Sequence, residues 1–402
     1  MKLNLLAARI LCALLTAFTS LSASAYSFEQ NGIYYNITST TAKTVAVTYS
    51  NYDTTTDANG NIVVGQYNTN GGYSGDVTIP STVEYNGITY SVTGLYHSAF
   101  RDCINLISIT IPNGIKEIGA AAFDGCSSLV SAKLSDAITT IPMQAFYGCS
   151  KLTNIHLPDN LTKIESYAFE RCSSLASLSI PETVQEIGSQ TFAHCTSLSD
   201  INIPEGITII DTWTFGDCPS LKNIRIPNSI KEIGVSAFFN CTSLSEIDLP
   251  DNVETINRLA FIWCESLKTV TIGTGIKSIG EKAFLGCDEL ELITVNAIEP
   301  PTAVEIPEGQ TQDGTFVSWH YENTDLRVPA ESIEKYKNAP VWENFFKDRN
   351  PLTAIEGVEA ADGAESEVVA RYDLSGRPVA DDYRGMTIVR RADGSTAKEI
   401  RR

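Results

Sequence analysis

The chain has 402 residues, of which 43% are hydrophobic and 19% are charged, a composition that supports a folded core and excludes an acidic disordered polymer. Its 48 Asp and Glu residues outnumber its 29 Lys and Arg residues, so the formal net charge at pH 7 is −19. This charge repels phosphate backbones and anionic lipid headgroups, and it argues against nucleic-acid binding through a basic face.

The first 25 residues have the pattern of an export signal. Lys2 supplies a positive start, an apolar run follows over 10–21, and a small-x-small cleavage pattern ends at Ala25. We therefore expect a signal peptide over 1–25 and a mature chain that begins at Tyr26. A membrane anchor is the alternative, for which the apolar run is short against a bilayer core of about 30 Å.

Residues 26–76 are predicted to form a β-rich N-terminal cap. The segments 33–37 and 44–49 predict two paired strands, and Asn59-Gly60 predicts a further hairpin turn. Residues 57–61 faintly resemble a calcium loop but lack the downstream Glu, so a plain turn is favoured. An enzyme confined to the cap is disfavoured, because the cap contains no His, no Cys and one Lys.

Between residues 77 and 296 the sequence repeats with a period of 23. Nine cysteines mark the period, each with Phe three residues before it and Leu three residues after it. A fixed period without insertions predicts a repeat solenoid with one coil per repeat, because stacked coils bury an edge that no single coil can bury alone. The nine cysteines are Cys103, Cys126, Cys149, Cys172, Cys195, Cys218, Cys241, Cys264 and Cys287.

Each coil is predicted to combine short strands with a short helix. In one unit Leu178 and Ile180 are predicted to point inward and Ser177 outward, and Pro181 ends that strand. A second short extended segment follows. The three-residue spacing of Phe, Cys and Leu then suits one or two helical turns.

The residue before each cysteine is predicted to end the short helix. It is Gly, Asp or Asn in six coils, residue types that adopt a left-handed conformation at low cost. Arg171, His194 and Trp263 are the exceptions, and their coils are expected to end the helix differently or to bear mild strain.

The nine repeat cysteines are predicted to be reduced and buried. An odd number in an exported chain would ordinarily suggest disulfides. Equivalent positions, however, give parallel Cβ vectors that do not match a disulfide dihedral of about 90°, and a linear column does not suit tetrahedral zinc. We expect thiols that act as small apolar fillers, with no metal or other cofactor.

The repeat resembles that of the BspA-like bacterial leucine-rich repeat family. The likeness is plainest over 226–244, which begins Ile226-Pro227 and ends with the Phe, Cys and Leu positions. One coil departs from the pattern at Ala132 and Ser135, and another at Gly273. The resemblance implies a leucine-rich repeat solenoid over 77–296. It also implies a secreted or surface-attached protein of a host-associated bacterium, with adhesion to matrix proteins or other cells.

Beyond Val295 the period breaks, and residues 297–350 are predicted to cap the solenoid. Residues 326–329 predict a last strand, and 331–337 are compatible with a helix. Trp342 is expected to be structural, as apolar cover for the last coil.

Residues 351–367 are acidic and predict a linker, and residues 368–402 predict a small β module. The Tyr-Asp-Leu-Ser-Gly-Arg run at 372–377 resembles the C-terminal sorting domains of the type IX secretion system. Met386-Thr387 and the Arg401-Arg402 ending depart from that pattern. The alternative is a β appendage without a sorting role.

We find no catalytic constellation in the sequence. His97, His156, His194 and His320 have no metal-like spacing and are expected to lie at the surface. No phosphate loop and no hydrolase motif occurs. The sequence therefore predicts a protein that is not an enzyme.

Two columns of varied polar residues are predicted to run along the outward face of the first strand of each coil, and this face is the candidate ligand-binding surface. Solubility alone is the alternative explanation, because outward strand residues are polar in most proteins. No aromatic residue occurs in either column through Thr271, which disfavours sugar stacking on this face. The candidate residues are Asn154, His156, Asp200, Asn202, Asn223, Arg225, Glu246 and Asp248.

Trp213, Trp263, Phe239 and Tyr147 occupy variable positions on the predicted helical side. They could anchor a protein partner or be partly covered by neighbouring coils.

The predicted function is that of an exported leucine-rich repeat protein that binds extracellular or cell-surface proteins, with no nucleic acid partner and no membrane span. The alternative is a secreted or periplasmic carbohydrate-binding accessory protein, which an exposed aromatic row would favour.

Overall fold

A computed structural model of the protein describes residues 26–56, 62–67, 72–306, 314–347, 368–372, 385–391 and 396–401. For 52–56, 62–67 and the segments after 347 it describes the backbone only. The expected signal peptide, the 57–61 turn and the 351–367 linker lie outside the described residues.

The N-terminal strands form a small sheet that leads into the solenoid. Its second and third strands pair antiparallel, which confirms the predicted pairing. The strand over 88–95 pairs parallel with the third strand and with the first coil, so the cap offers the repeats an edge on which to stack. The sheet contains β1 (Phe28–Gln30), β2 (Ile33–Ser39), β3 (Thr44–Thr48), β7 (Thr82–Tyr85) and β8 (Ile88–Leu95). Two further strands, β4 (Tyr52–Thr56) and β5 (Ile62–Tyr67), pair with each other, and β6 (Ser74–Thr78) pairs with the first coil.

The repeats form a solenoid of about nine coils, as predicted, and two of its sides carry parallel strands. The first side follows β6 and bears the outward columns. It consists of β9 (Asn105–Thr110), β11 (Ser131–Lys133), β13 (Asn154–His156), β15 (Ser177–Leu178), β17 (Asp200–Ile201), β20 (Glu246–Leu249), β22 (Thr269–Ile272) and β24 (Leu292–Val295).

The second side follows β8 and carries two-residue strands. These are β10 (Glu117–Ile118), β12 (Thr140–Ile141), β14 (Lys163–Ile164), β16 (Glu186–Ile187), β18 (Ile209–Ile210), β19 (Glu232–Ile233), β21 (Thr255–Ile256), β23 (Ser278–Ile279) and β25 (Thr302–Ala303).

On the third side the repeats form consecutive turns, where a short helix was predicted. Within a coil, Cys103 N–H donates to the Phe100 carbonyl, a three-residue turn bond that every repeat cysteine makes except Cys218. Between coils, Phe100 N–H donates to the Ala122 carbonyl at 2.7 Å. Three such bonds join each pair of successive coils from the first to the ninth, because alternate N–H groups point along the solenoid axis.

The left-handed conformation predicted before the cysteine is confirmed at the six Gly, Asp and Asn positions, and the other three positions adopt the same conformation with its strain. All nine have a positive φ, including Arg171 at 62°, His194 at 60° and Trp263 at 60°. A second left-handed residue lies four positions earlier in every coil, at non-glycine residues such as Tyr167 and Leu259. A left-handed conformation costs a non-glycine residue roughly 1–2 kcal/mol, and here it aims an N–H at the next coil.

The core consists of columns of equivalent side chains, and the nine phenylalanines form the column with the largest of these side chains. The nine rings stack with centroids 5.1–5.7 Å apart and planes within 17° of parallel. Tyr73 covers the first ring and Phe316 covers the last, so the caps extend the column at both ends. Leu178 and Ile180 are buried and Ser177 is exposed, as predicted.

The nine repeat cysteines are free and buried, which confirms the predicted column of reduced thiols. They do more than fill space. Eight of the nine thiols donate to a Phe carbonyl of the preceding coil at 2.9–3.2 Å, beginning with Cys126 to Phe100. Burial raises the pKa of the Cys195 and Cys218 thiols well above the ordinary value, so these groups stay protonated donors.

The C-terminal cap closes the last coil with a strand, two α-helices and two 3₁₀-helices. Trp342 is fully buried and its Nε1 donates to the Pro301 carbonyl at 2.8 Å, which supports its predicted structural role. Thr324 Oγ1 donates to the Leu290 carbonyl at 2.7 Å, so the cap supplies a partner for this buried acceptor of the last coil. The elements are β26 (Asp325–Arg327), α1 (Ser318–Asn323), α2 (Ile333–Lys337) and 3₁₀-helices over Ala330–Ser332 and Trp342–Phe346.

The expectation that His320 lies at the surface is wrong. Its exposed fraction is 1%, and its Nδ1 accepts a hydrogen bond from Val317 N–H at 3.1 Å. Burial lowers the pKa of His320 to about 4, and the Phe284 backbone carbonyl opposes that shift in part. His97 and His156 are exposed and His194 is half-buried.

The C-terminal segment contains a three-stranded antiparallel sheet of β27 (Val368–Tyr372), β28 (Gly385–Arg391) and β29 (Thr396–Arg401). Most of the sorting-like run at 372–377 lies outside the described residues, and a sorting role for the module stays a prediction. Among the described residues, no helix is long and apolar enough to span a bilayer.

Candidate functional site

The structure places all eight candidate residues on the outward side of the first strand column, and all eight are exposed. The column is interrupted at two places, after β13 and after β17. Asn223 and Arg225 lie in the second interruption, in a coil that forms no strand on this side. The face is therefore three short sheets in series, where the sequence predicted one continuous sheet.

Asn202 is tied to the preceding coil. Its side-chain Oδ1 accepts from Ile180 N–H at 2.7 Å, and its Nδ2 donates to the Ile180 carbonyl at 2.7 Å. The amide thus supplies the two bonds that a neighbouring strand would make. This side chain serves the backbone, and a partner could use it only by breaking both bonds.

Arg225 forms an ion pair with a residue that the sequence did not single out. Its Nη2 lies 2.7 Å from Glu205 Oε1, and the side chains are 72% and 50% exposed. An exposed pair of this kind contributes little to stability, so Arg225 can exchange Glu205 for a carboxylate of a partner.

The side chains of the other six candidates have no hydrogen bond or ion pair within the part of the chain that the structure describes. Three are acidic, and two of those share β20, where Glu246 and Asp248 both point outward. The candidate surface is thus defined by free polar groups on a backbone that the stacked core holds rigid. These six residues are Asn154, His156, Asp200, Asn223, Glu246 and Asp248.

An aromatic row crosses three coils on the turn side. Trp213 stacks on Phe239 with centroids 4.4 Å apart, and Phe239 meets Trp263 edge to face at 5.1 Å. Trp263 is 47% exposed, whereas Trp213, Phe239 and Tyr147 are half-buried. Phe239 occupies one face of Trp213, so that face is closed to a ligand ring.

A cleft at the end of the solenoid was missed by the sequence reasoning. It has a volume of about 240 Å³ and lies between the last coil and the C-terminal cap. No sequence pattern marks it, because it arises only where α1 packs beside the last coil. Its lining residues are Lys268, Asp288, Glu289, Leu290, Glu291, Trp319 and Asn323.

Neither the cysteine column nor the strand face resembles a metal or cofactor site. Among the described residues, no group of three or more His, Cys, Asp or Glu side chains is close enough to hold a metal ion. Eight of the nine repeat thiols also donate hydrogen bonds to Phe carbonyls. The strand face can therefore bind a partner through polar and charged contacts.

The repeat region matches the model of the BspA type leucine-rich repeat region, in six copies over residues 80–198 and 162–291. A leucine-rich repeat protein from Bacteroides ovatus superimposes with a TM-score of 0.54 and is 26% identical, over 68% of this chain and 72% of that one. No curated protein matches the chain.

Two further solved structures are similar. A leucine-rich cell surface protein from Faecalibacterium prausnitzii is 23% identical over 76% of this chain and 89% of that one, with a TM-score of 0.45. The T. pallidum leucine-rich repeat protein is 26% identical over 54% and 90%, with a TM-score of 0.44. Since the family model spans more than half of the chain, this protein belongs to the BspA-type leucine-rich repeat family.

Proposed function

We propose that this protein is a surface-displayed, non-enzymatic adhesin whose outward strand face binds proteins of a host or of other bacteria. The observation that carries the proposal is the set of six exposed polar side chains that have no partner among the described residues and stand on a rigid repeat scaffold. Proteins of this family are generally non-enzymatic surface proteins, and leucine-rich repeats bind proteins.

Export belongs to the same proposal. The pattern over 1–25 supports secretion, and the likeness of 368–402 to type IX sorting modules supports display at the surface. Extracellular matrix proteins and the surfaces of other bacteria are the partner classes proposed.

The test is a binding assay of the mature chain 26–402 on immobilised matrix proteins and on whole cells of co-resident bacteria. The face variant D200N/E246Q/D248N removes three of the free carboxylates. We expect it to lose about tenfold in affinity, or about 1.4 kcal/mol.

The matched control is E84Q/E117Q/D159N, which makes the same charge change at exposed residues outside the candidate columns. It should bind as the wild type does. If both variants lose affinity equally, the net charge of the protein and not this face governs binding. If both bind as the wild type does, the three carboxylates do not contribute to binding.

Carbohydrate binding is the second candidate function, and the aromatic row on the turn side favours it. Trp263 is the ring in this row with the most exposed surface, so a sugar would meet it first. A glycan array probed with the wild type and with W263A tests this role. A bound glycan that is lost in W263A would support it, and an array without signal for the wild type would exclude it.

A further inference from the structure

The cleft between the last coil and the C-terminal cap has a composition unlike the strand face. Glu289 and Glu291 come from the turn that precedes β24, and Lys268 comes from the preceding coil. The opposite wall is Trp319, which belongs to α1. The cleft exists because a helix takes the place of a tenth coil.

The cleft carries an excess of negative charge. Its lining contains three exposed carboxylates and one ammonium group. Lys268 Nζ lies 3.6 Å from Glu289 Oε2 and 3.5 Å from Glu291 Oε1, and its side chain is 51% exposed. Pairs this long and this exposed are weak, so the resident cation is readily displaced.

An aromatic wall and a polar amide accompany the carboxylates. Trp319 is half-buried, so part of its ring surface is open to solvent, and Leu290 beneath it is fully buried. Asn323 Nδ2 donates to the Trp319 carbonyl at 2.9 Å, which fixes the amide and leaves Oδ1 as an acceptor. A cation beside an indole and between carboxylates gains cation–π and charge-assisted contacts together.

Size and geometry select the kind of cation. The carboxylates do not converge on one point, since no metal-binding group of three or more acidic, His or Cys residues occurs in the described part of the chain. The volume lies below the roughly 300–1,000 Å³ of small-molecule pockets and suits a single side chain. A guanidinium is planar, stacks on an aromatic ring and binds carboxylates through two parallel hydrogen bonds.

We propose that this cleft binds an arginine side chain of a partner protein. The proposal rests on the proposed protein-binding role and adds a second contact, with Glu289 and Glu291 about two coils beyond Glu246 and Asp248. The bound arginine lies against Trp319 and takes over Glu289 and Glu291 from Lys268.

The probe is acetyl-arginine amide, titrated into the mature chain 26–402 and followed by NMR of the tryptophan indole N–H signals. We expect a dissociation constant of roughly 1–10 mM, as befits one side chain, with the shift confined to the indole signal that is absent in W319F. Acetyl-citrulline amide has nearly the same shape without the charge and should not bind. Equal binding of citrulline would overturn the proposal.

Two variants test the charge logic in opposite directions. E289Q/E291Q should weaken arginine binding by about tenfold, whereas K268M removes the resident cation and should strengthen it by about threefold. E117Q, on the second strand side, is the matched control and should bind as the wild type does. Unchanged affinity in K268M, or displacement of the probe by calcium at equal concentration, would overturn the proposal.

The outcomes separate this cleft from the strand face. D200N/E246Q/D248N should bind the arginine probe normally even if it loses the partner protein. If the arginine probe does not bind the wild type, while D200N/E246Q/D248N still loses the partner protein, the cleft proposal is wrong and the proposed function stands.

Discussion

His320 shows how one side chain at the end of the solenoid differs from its equivalents in the coils. It follows Phe316, which continues the phenylalanine column, and it sits against the Phe284 carbonyl. In the coils this carbonyl type accepts a thiol proton. Adding a second ring proton would place a charged imidazolium in this buried position, at a large desolvation cost.

His320 makes the stability of the protein depend on pH. The pKa of its imidazole is about 4 in the folded protein and 6.5 in an unfolded chain, so the unfolded state takes up the proton first as pH falls. Above about pH 6.5 the protonation of His320 should not lower the free energy of unfolding. Between pH 6.5 and pH 4 it should lower the free energy of unfolding by about 3 kcal/mol.

The measurement compares urea unfolding of the wild type and H320Q at pH 7 and pH 4.5. The difference between the two proteins isolates His320 from Asp124, whose pKa burial raises to about 6 and which therefore acts in the opposite direction. Parallel pH profiles for the two proteins would contradict the prediction.

The thiol column leads to a prediction on reactivity. A buried thiol with a raised pKa has almost no thiolate to react. For a chain of residues 26–402 we expect no reaction with a disulfide reagent in buffer and nine reactive thiols in 6 M guanidinium (about the concentration that unfolds most proteins). Fewer than nine in the denatured chain would reveal disulfides, and rapid native reaction would show that the column is open.

At the scale of elements, the turn side is the continuous connection of the solenoid. Inter-coil bonds run through all nine coils there, whereas both strand columns are interrupted. Asn202 lies just beyond the end of β17, where the pairing with β15 stops, and its amide bonds Ile180 in place of a backbone partner. Side chains thus repair the sheet where the backbone does not pair.

The Asn202 contact is testable with a matched residue of the same type. N202A should cost about 1–3 kcal/mol, because it leaves the Ile180 N–H and carbonyl without partners. N223A removes an exposed amide without a described partner and should change stability by less than about 0.5 kcal/mol. Chemical denaturation measures both, and equal values would show that the Asn202 bonds are replaced by water.

At the scale of the whole molecule, the solenoid needs a cover at each end. Tyr73 and Phe316 end the phenylalanine column, and Trp342 packs edge to face on Phe316 at 5.4 Å. Removing a cap exposes apolar columns and unpaired strand edges, which promote association.

W342A should therefore destabilise the protein by about 3–5 kcal/mol and produce oligomers. W263A, at an exposed ring of the turn side, should keep the protein monodisperse and near wild-type stability. Thermal unfolding together with light scattering distinguishes the two. A monodisperse, stable W342A would show that the cap does not depend on this ring.

The sequence by itself determined the solenoid, the inward Phe, Cys and Leu columns and the outward polar columns. In a stacked repeat each position contacts its own equivalent 23 residues away, so periodicity along the chain is also contact in space. The same reasoning placed the reduced cysteines and the structural Trp342. It could not assign the left-handed conformation at Tyr167 or Arg171, because bonds from the next coil impose it against local preference.

Only the tertiary structure decided what happens where the period stops. The burial of His320 and the cleft between Glu289 and Trp319 both involve pairs of residues that no repeat spacing relates. The chain closes its last coil with a helix, and the packing of that helix fixes these contacts. A periodic sequence can specify the repeated core. The contacts at the end of the solenoid occur only once, so they depend on how the side chains of the cap fit those of the last coil.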